Sequence, residues 1–168
     1  MGKSEAPRLN GLINRHPRRP PAGRQTGLRS FSIEALEWPI TPMGTAQTCG
    51  GLRLRTRDLA KLAQLYADGG NWKGARVVSE TWVGASTSPH ARIDESKEYG
   101  YFWWLQSFVT SDPKSAAYYM SGNGGNKVAV FPVLALVVVI TSTNFNTKGM
   151  HEQTERLLSE YVLPAVAP

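Results

Sequence analysis

Residues 118–144, YYMSGNGGNKVAVFPVLALVVVITSTN, decide the fold. The stretch divides into a short aromatic strand, a glycine-rich corner and two apolar strands in series. Residues 128–131 and 134–140 are β-branched or apolar at nearly every position, which favours a pleated backbone. The run VLALVVVI is apolar on both alternating faces and so reads as a central strand covered on two sides. Pro132 donates no ladder hydrogen bond and belongs at the connection between the two strands. An Asn-Gly hairpin turn would by itself explain the corner Gly122-Asn123-Gly124-Gly125-Asn126.

Working outward, the chain of 168 residues has the length of one domain. Its charge is uneven. Of 19 basic and 13 acidic groups, residues 1–30 hold seven (Lys3, Arg8, Arg15, Arg18, Arg19, Arg24, Arg29) and one (Glu5), leaving twelve of each sign beyond. The high pI therefore describes a tail, and residues 31–168 are neutral. That tail, rich in Arg, Pro and Gly, lacks the apolar surface to offset its ordering entropy and reads as disordered. The expected division is a basic tail over 1–37 and a folded domain over 38–168. A nucleic-acid partner would need basic groups clustered on a folded face, and none is visible.

Cys49 is the single cysteine, so no intramolecular disulfide forms, and His16, His90 and His151 lack ligands at metal spacing. Neither a metal nor a cofactor is expected. No run approaches the ~18 apolar residues of a membrane span. The N-terminus also lacks an apolar signal core, since prolines follow Arg18-Arg19, and this predicts a cytoplasmic location.

Residues 31–48 form a mixed connector in which Trp38 and Ile40 can reach a core, while Pro39 and Pro42 prevent a long helix. Further on, Thr56 suits a helix N-cap, and Leu59, Leu62, Ala63 and Tyr66 recur at helical spacing until Gly69 and Gly70. A second helix starts near Ser79. Residues 87–98 read as a polar loop, 99–108 (YGYFWWLQSF) as one aromatic strand, and 150–163 as a helix ended by Pro164. There is no internal repeat.

GGLRLRTRDLAKLAQLYADGGNWKGARVVSETWV, then YGYFWWL, then SGNGGNKVAVFPVLALVVVITSTNFN together resemble the C-terminal half of the serine β-lactamase-like hydrolases. These include class C β-lactamases, D-alanyl-D-alanine carboxypeptidases and related esterases, proteins often periplasmic or secreted. The resemblance covers about residues 40–166. It implies an α/β (α+β) fold: a partial β-lactamase/transpeptidase-like antiparallel sheet with flanking helices, lacking the N-terminal strands and the nucleophile helix. The family's chemistry is acyl-enzyme hydrolysis of an amide or ester. Its serine lies in Ser-x-x-Lys, a Tyr-x-Asn tyrosine helps handle the proton, and a third motif lines the pocket beside the oxyanion hole.

By this match, Asn123, Gly124 and Gly125 occupy the third motif and Asn126 supplies a backbone donor. The glycines would keep side chains away from a substrate lying on the strand edge. Asn123 departs from the family's usual Lys or His and brings no charge. The first two motifs are not found. Ser111-Asp112-Pro113-Lys114 matches Ser-x-x-Lys by letter, but with a proline inside it and a turn around it. Ser142-Thr143-Asn144 imitates Ser-x-Asn at the end of a strand. Ser121 lies near the corner without a neighbouring lysine. No catalytic residue is therefore assigned. Two expectations follow: a hydrolase fragment inactive alone, whose small amide or ester substrate needs the missing half, or a non-enzymatic binding module with the tail as contact arm. The resemblance also implies that the 134–140 strand loses a pairing partner, giving an open edge for self-association.

Overall fold

The computed structural model describes residues 31–33, 35–47, 50–109 and 112–166; the expected tail over 1–30, Cys49 and Ser111 lie outside the described residues. Phe31 and Ile33, inside the stretch assigned to the tail, are buried with Leu65 against Trp72 and Val78. Lys61 secures this entry by donating to the Phe31 carbonyl at 3.0 Å and to Asp58 at 2.6 Å. Strand β1 (Leu36–Glu37) then pairs with β2 (Arg53–Leu54).

Helix α1 (Thr56–Ala67) follows, with Arg55 rather than Thr56 at the N-cap; the Thr56 hydroxyl instead lies 3.1 Å from that of Thr141. Gly69 and Gly70 leave the helix with positive φ. Strands β3 (Asn71–Trp72) and β4 (Ala75–Arg76) form a hairpin whose two turn residues, Lys73 and Gly74, both have positive φ, matching the strand twist. Helix α2 (Glu80–Ser86) starts at Ser79, whose hydroxyl accepts from the Trp82 N–H.

The remaining strands are β5 (Ala91–Arg92), β6 (Glu98–Tyr99), β7 (Trp104–Ser107), β8 (Ala116–Gly122), β9 (Asn126–Phe131) and β10 (Leu136–Ile140). They form one six-stranded antiparallel sheet in the order β10-β9-β8-β7-β6-β5. Strand alternation gives the sheet two faces. Tyr118, Met120, Val128, Val130, Val137 and Val139 pack with Leu59 and Ala63 of α1. Ala117, Tyr119, Ala129, Phe131, Leu136 and Val138 pack with Leu158 and Leu163 of the C-terminal helix. This is the expected antiparallel sheet with helices on both sides.

Four local readings change. The 133–140 run is covered on both faces as expected. Among the described residues, however, β10 stands at the edge of the sheet and not at its centre, as the resemblance implied and the apolar pattern did not. That pattern reports faces and not neighbours. The 99–108 run is two strands, not one: Gly100 N–H donates to the Trp103 carbonyl and Phe102 adopts φ 67°, folding the aromatic run into a β6–β7 hairpin. The loop read over 87–98 contributes β5 and part of β6 to that sheet. Finally, Pro164 does not end the C-terminal helix. Helix α3 (Met150–Leu157) widens into a π turn (Leu158–Val162) and continues as α4 (Leu163–Val166). The wide turn, with Leu163 N–H bonded to the Leu158 carbonyl, shifts the hydrogen-bond frame just before the proline.

Candidate functional site

The corner lies between β8 and β9, where Gly122 pairs with Asn126 and leaves a three-residue loop. Gly124 and Gly125 have φ of 86° and 82°, a region that side-chain-bearing residues rarely adopt. Both are buried, Asn126 is half-buried and Asn123 is exposed.

The loop after β10 folds over this corner. Asn123 Nδ2 donates to Asn146 Oδ1 at 3.0 Å, and Asn146 N–H returns a bond to Asn123 Oδ1 at 3.1 Å. Asn126 Nδ2 donates to the carbonyls of Asn123 and Ser142, and its Oδ1 accepts the Ser142 N–H at 3.0 Å. Gly124 N–H points at the Met150 sulfur, 3.2 Å away. The glycines clear room for this chain itself. A Cβ on Gly124 would meet the Phe145 ring at 2.8 Å, and one on Gly125 the Met150 carbonyl oxygen at 2.3 Å.

The described residues of the two lookalike motifs are placed by this geometry. Lys114 is exposed on a 3-10 turn (Pro113–Ser115) capped by the Asp112 carboxylate. Ser142 and Asn144 belong to the loop holding the corner, with Asn144 Nδ2 donating to Gln153 at 2.7 Å.

Ser121 has neighbours that strand alternation did not reveal. Its Oγ lies 3.4 Å from His151 Nδ1 on α3, and its cross-strand partner is Lys127. The expectation that no lysine neighbours it is thus corrected. That lysine is nevertheless committed elsewhere. Its Nζ donates to Glu155 at 2.9 Å and stands 4.4 Å from the centroid of the Tyr119 ring. Burial pulls the Lys127 pKa below the ordinary lysine value, against the opposing pull of Glu155. Sequence missed this cluster because Ser121, Lys127 and Glu155 sit on three separate elements.

Among the described residues, no group of three or more His, Cys, Asp or Glu side chains could hold a metal ion. Among them too, no helix is long and apolar enough to cross a membrane.

The sheet order, the helices on both faces and the glycine corner define a β-lactamase/transpeptidase-like fold. The beta-lactamase family profile matches residues 3–162, and the chain belongs to that family. Two solved structures share the fold. One is a protein from Bacillus anthracis described as a 6-aminohexanoate-dimer hydrolase, at 17% identity and a TM-score of 0.59, over 78% of this chain and 33% of that one. The other is a penicillin binding protein from Bacillus halodurans, at 15% identity and a TM-score of 0.53, over 80% and 48%. The chain thus spans a third to a half of these structures. Comparison with curated proteins gave no match.

Proposed function

We propose that this chain is the strand-rich part of a serine hydrolase of the acyl-enzyme class, and that it is catalytically silent on its own. Membership of the beta-lactamase family supports the class. The carrying observation is the Asn123–Asn126 corner, a hairpin end with small buried glycines, in the place that the third motif takes by resemblance. In this reading the corner forms one wall of a pocket for a small amide or ester, and Asn126 faces the oxyanion.

The silence follows from the serines. Nucleophilic catalysis needs a serine within hydrogen-bond reach of a competent base and facing the oxyanion donors. Ser142 is held in the covering loop, and Ser121 lies on the sheet face that carries Tyr119 and packs against the C-terminal helix. Lys127 is engaged by Glu155 and does not serve Ser121 as a base.

A second reading is favoured by the corner's own bonds. Asn123, Gly124 and Asn126 are all engaged by residues 142–150, which suits a binding module that keeps the wall but not the reaction. Incubation with a fluorescent penicillin and with a fluorophosphonate, followed by intact mass, tests the proposal. We expect no adduct from either. Stoichiometric labelling of one serine, lost on its change to alanine, would overturn it. Labelling at Ser111 would mean that Ser-x-x-Lys is real, and labelling at Ser121 that His151 is a working base.

A further inference from the structure

The glycine corner and helix α3 meet at a thioether. The Met150 sulfur accepts from the Gly124 N–H at 3.2 Å, a contact between residues 26 positions apart. Around that bond the fit is close. Phe145 and the Ser142 carbonyl lie against Gly124, and the Met150 carbonyl and Thr154 hydroxyl lie against Gly125. Helix α3 begins after Gly149 with no side-chain cap, so the corner is what holds its first turn. Met150 is half-buried and lines the groove between the end of β10 and α3. A thioether sulfur carries two lone pairs, and Gly124 takes one of them.

We propose that Met150 is a reversible oxidation site, at which hydrogen peroxide converts the thioether to the sulfoxide and so loosens the glycine corner from α3. The sulfur attacks one peroxide oxygen and the O–O bond breaks. Sulfur is oxidised by two electrons, and the second oxygen is reduced and leaves as water, taking the proton of the transferred one. The bistable element is the seat of the corner on the first turn of the helix.

Both sulfoxide epimers lose the contact. An oxygen added on the Gly124 side needs ~2.9 Å from the nitrogen for itself, so a sulfur and nitrogen now 3.2 Å apart must separate. An oxygen added on the other side leaves the sulfur positively polarised, and it no longer accepts from an N–H. Either way a buried donor loses its acceptor. The sulfoxide is also polar where the flexible thioether packed. Met43, 92% exposed, offers an internal comparison, because its oxidation is remote from this contact in the fold. The site does not depend on whether the corner walls a substrate pocket.

Treatment of the full chain with hydrogen peroxide, in a Cys49→Ser background, tests the proposal. Peptide mass mapping reads the added oxygen, and amide exchange at Gly124 by NMR reads the contact. Sulfoxide at Met150 is expected, with Gly124 exchange about tenfold faster. Methionine sulfoxide reductases acting on both epimers, with a thiol reductant, should reverse both changes. In Met150→Leu, peroxide should leave Gly124 exchange unaltered although Met43 is still oxidised. Should that variant fail to fold, reversal by the reductases decides the matter in the parent. A Met150 that stays a thioether while Met43 is fully converted overturns the proposal. So does a Met150 sulfoxide with Gly124 exchange unchanged, an effect the reductases do not reverse, or one that survives in Met150→Leu.

Discussion

Lys127 Nζ lies 2.9 Å from Glu155 Oε1, with the lysine side chain 1% exposed and the carboxylate side chain 24% exposed. The pair joins β9 to α3 and is unequal. Glu155 has a second cation, Lys97, at 3.5 Å, while the Lys127 ammonium rests on Glu155 and on the Tyr119 ring. Removing either partner therefore leaves a different remainder.

Glu155→Ala strands a buried ammonium, and uncompensated buried charges cost about 3–5 kcal/mol. Lys127→Met leaves a carboxylate still partly in water and still near Lys97, so the loss should be well below that. Urea unfolding followed by circular dichroism checks the order. A Lys127→Met variant as unstable as Glu155→Ala would show that the pair is not governed by lysine burial.

The buried phenols set the alkaline limit. Burial, with Tyr66 nearby, pushes Tyr118 up to about 12, and burial with Glu155 nearby also raises Tyr119. A phenol whose pKa is raised on folding contributes stability below ~10, its unfolded value. That contribution is lost as pH rises through the folded value. Lys127 has the opposite sign: its pKa is lowered on folding, so the unfolded chain binds the extra proton and stability rises with pH up to ~10.5. Stability should therefore hold to about pH 10 and then fall. Phenolate absorbance would show Tyr118 and Tyr119 titrating later in the native chain than in urea. A native titration curve that overlays the curve in urea would contradict this.

Much of the architecture was legible because its signals are local. The spacing of Leu59, Leu62 and Ala63 gave α1, and the β-branched runs around Pro132 gave β9 and β10. What failed depended on distant partners. The 99–108 run hid its bend because aromatic residues continue straight through Phe102. Strand β10 read as central because alternation records which faces are covered, and α1 and the C-terminal helix do cover both. In the candidate site, the glycine corner was visible as a turn. Its cover was not, since nothing in residues 141–150 announces that Asn146, Ser142 and Met150 will close on Asn123, Asn126 and Gly124.

The glycine corner separates two costs that usually occur together. Gly125 has φ 82° and Gly74 has φ 85°, so alanine at either position suffers a similar backbone strain, about 1–2 kcal/mol. Their surroundings differ. A Cβ on Gly74 meets nothing within 4 Å, whereas one on Gly125 comes within 2.3 Å of the Met150 carbonyl oxygen and 3.1 Å of the Thr154 hydroxyl. The Met150 carbonyl cannot swing aside like a flexible side chain, because it already accepts from the Thr154 hydroxyl within α3. Crowding should then add about 1–3 kcal/mol at Gly125 alone. Gly125→Ala is expected to be the more destabilised of the two variants. Hydrogen exchange should localise the damage, with faster exchange in α3 for Gly125→Ala and changes confined to the β3–β4 hairpin for Gly74→Ala. Equal losses in the two variants, with α3 equally protected, would mean that the corner is not packed against the start of that helix.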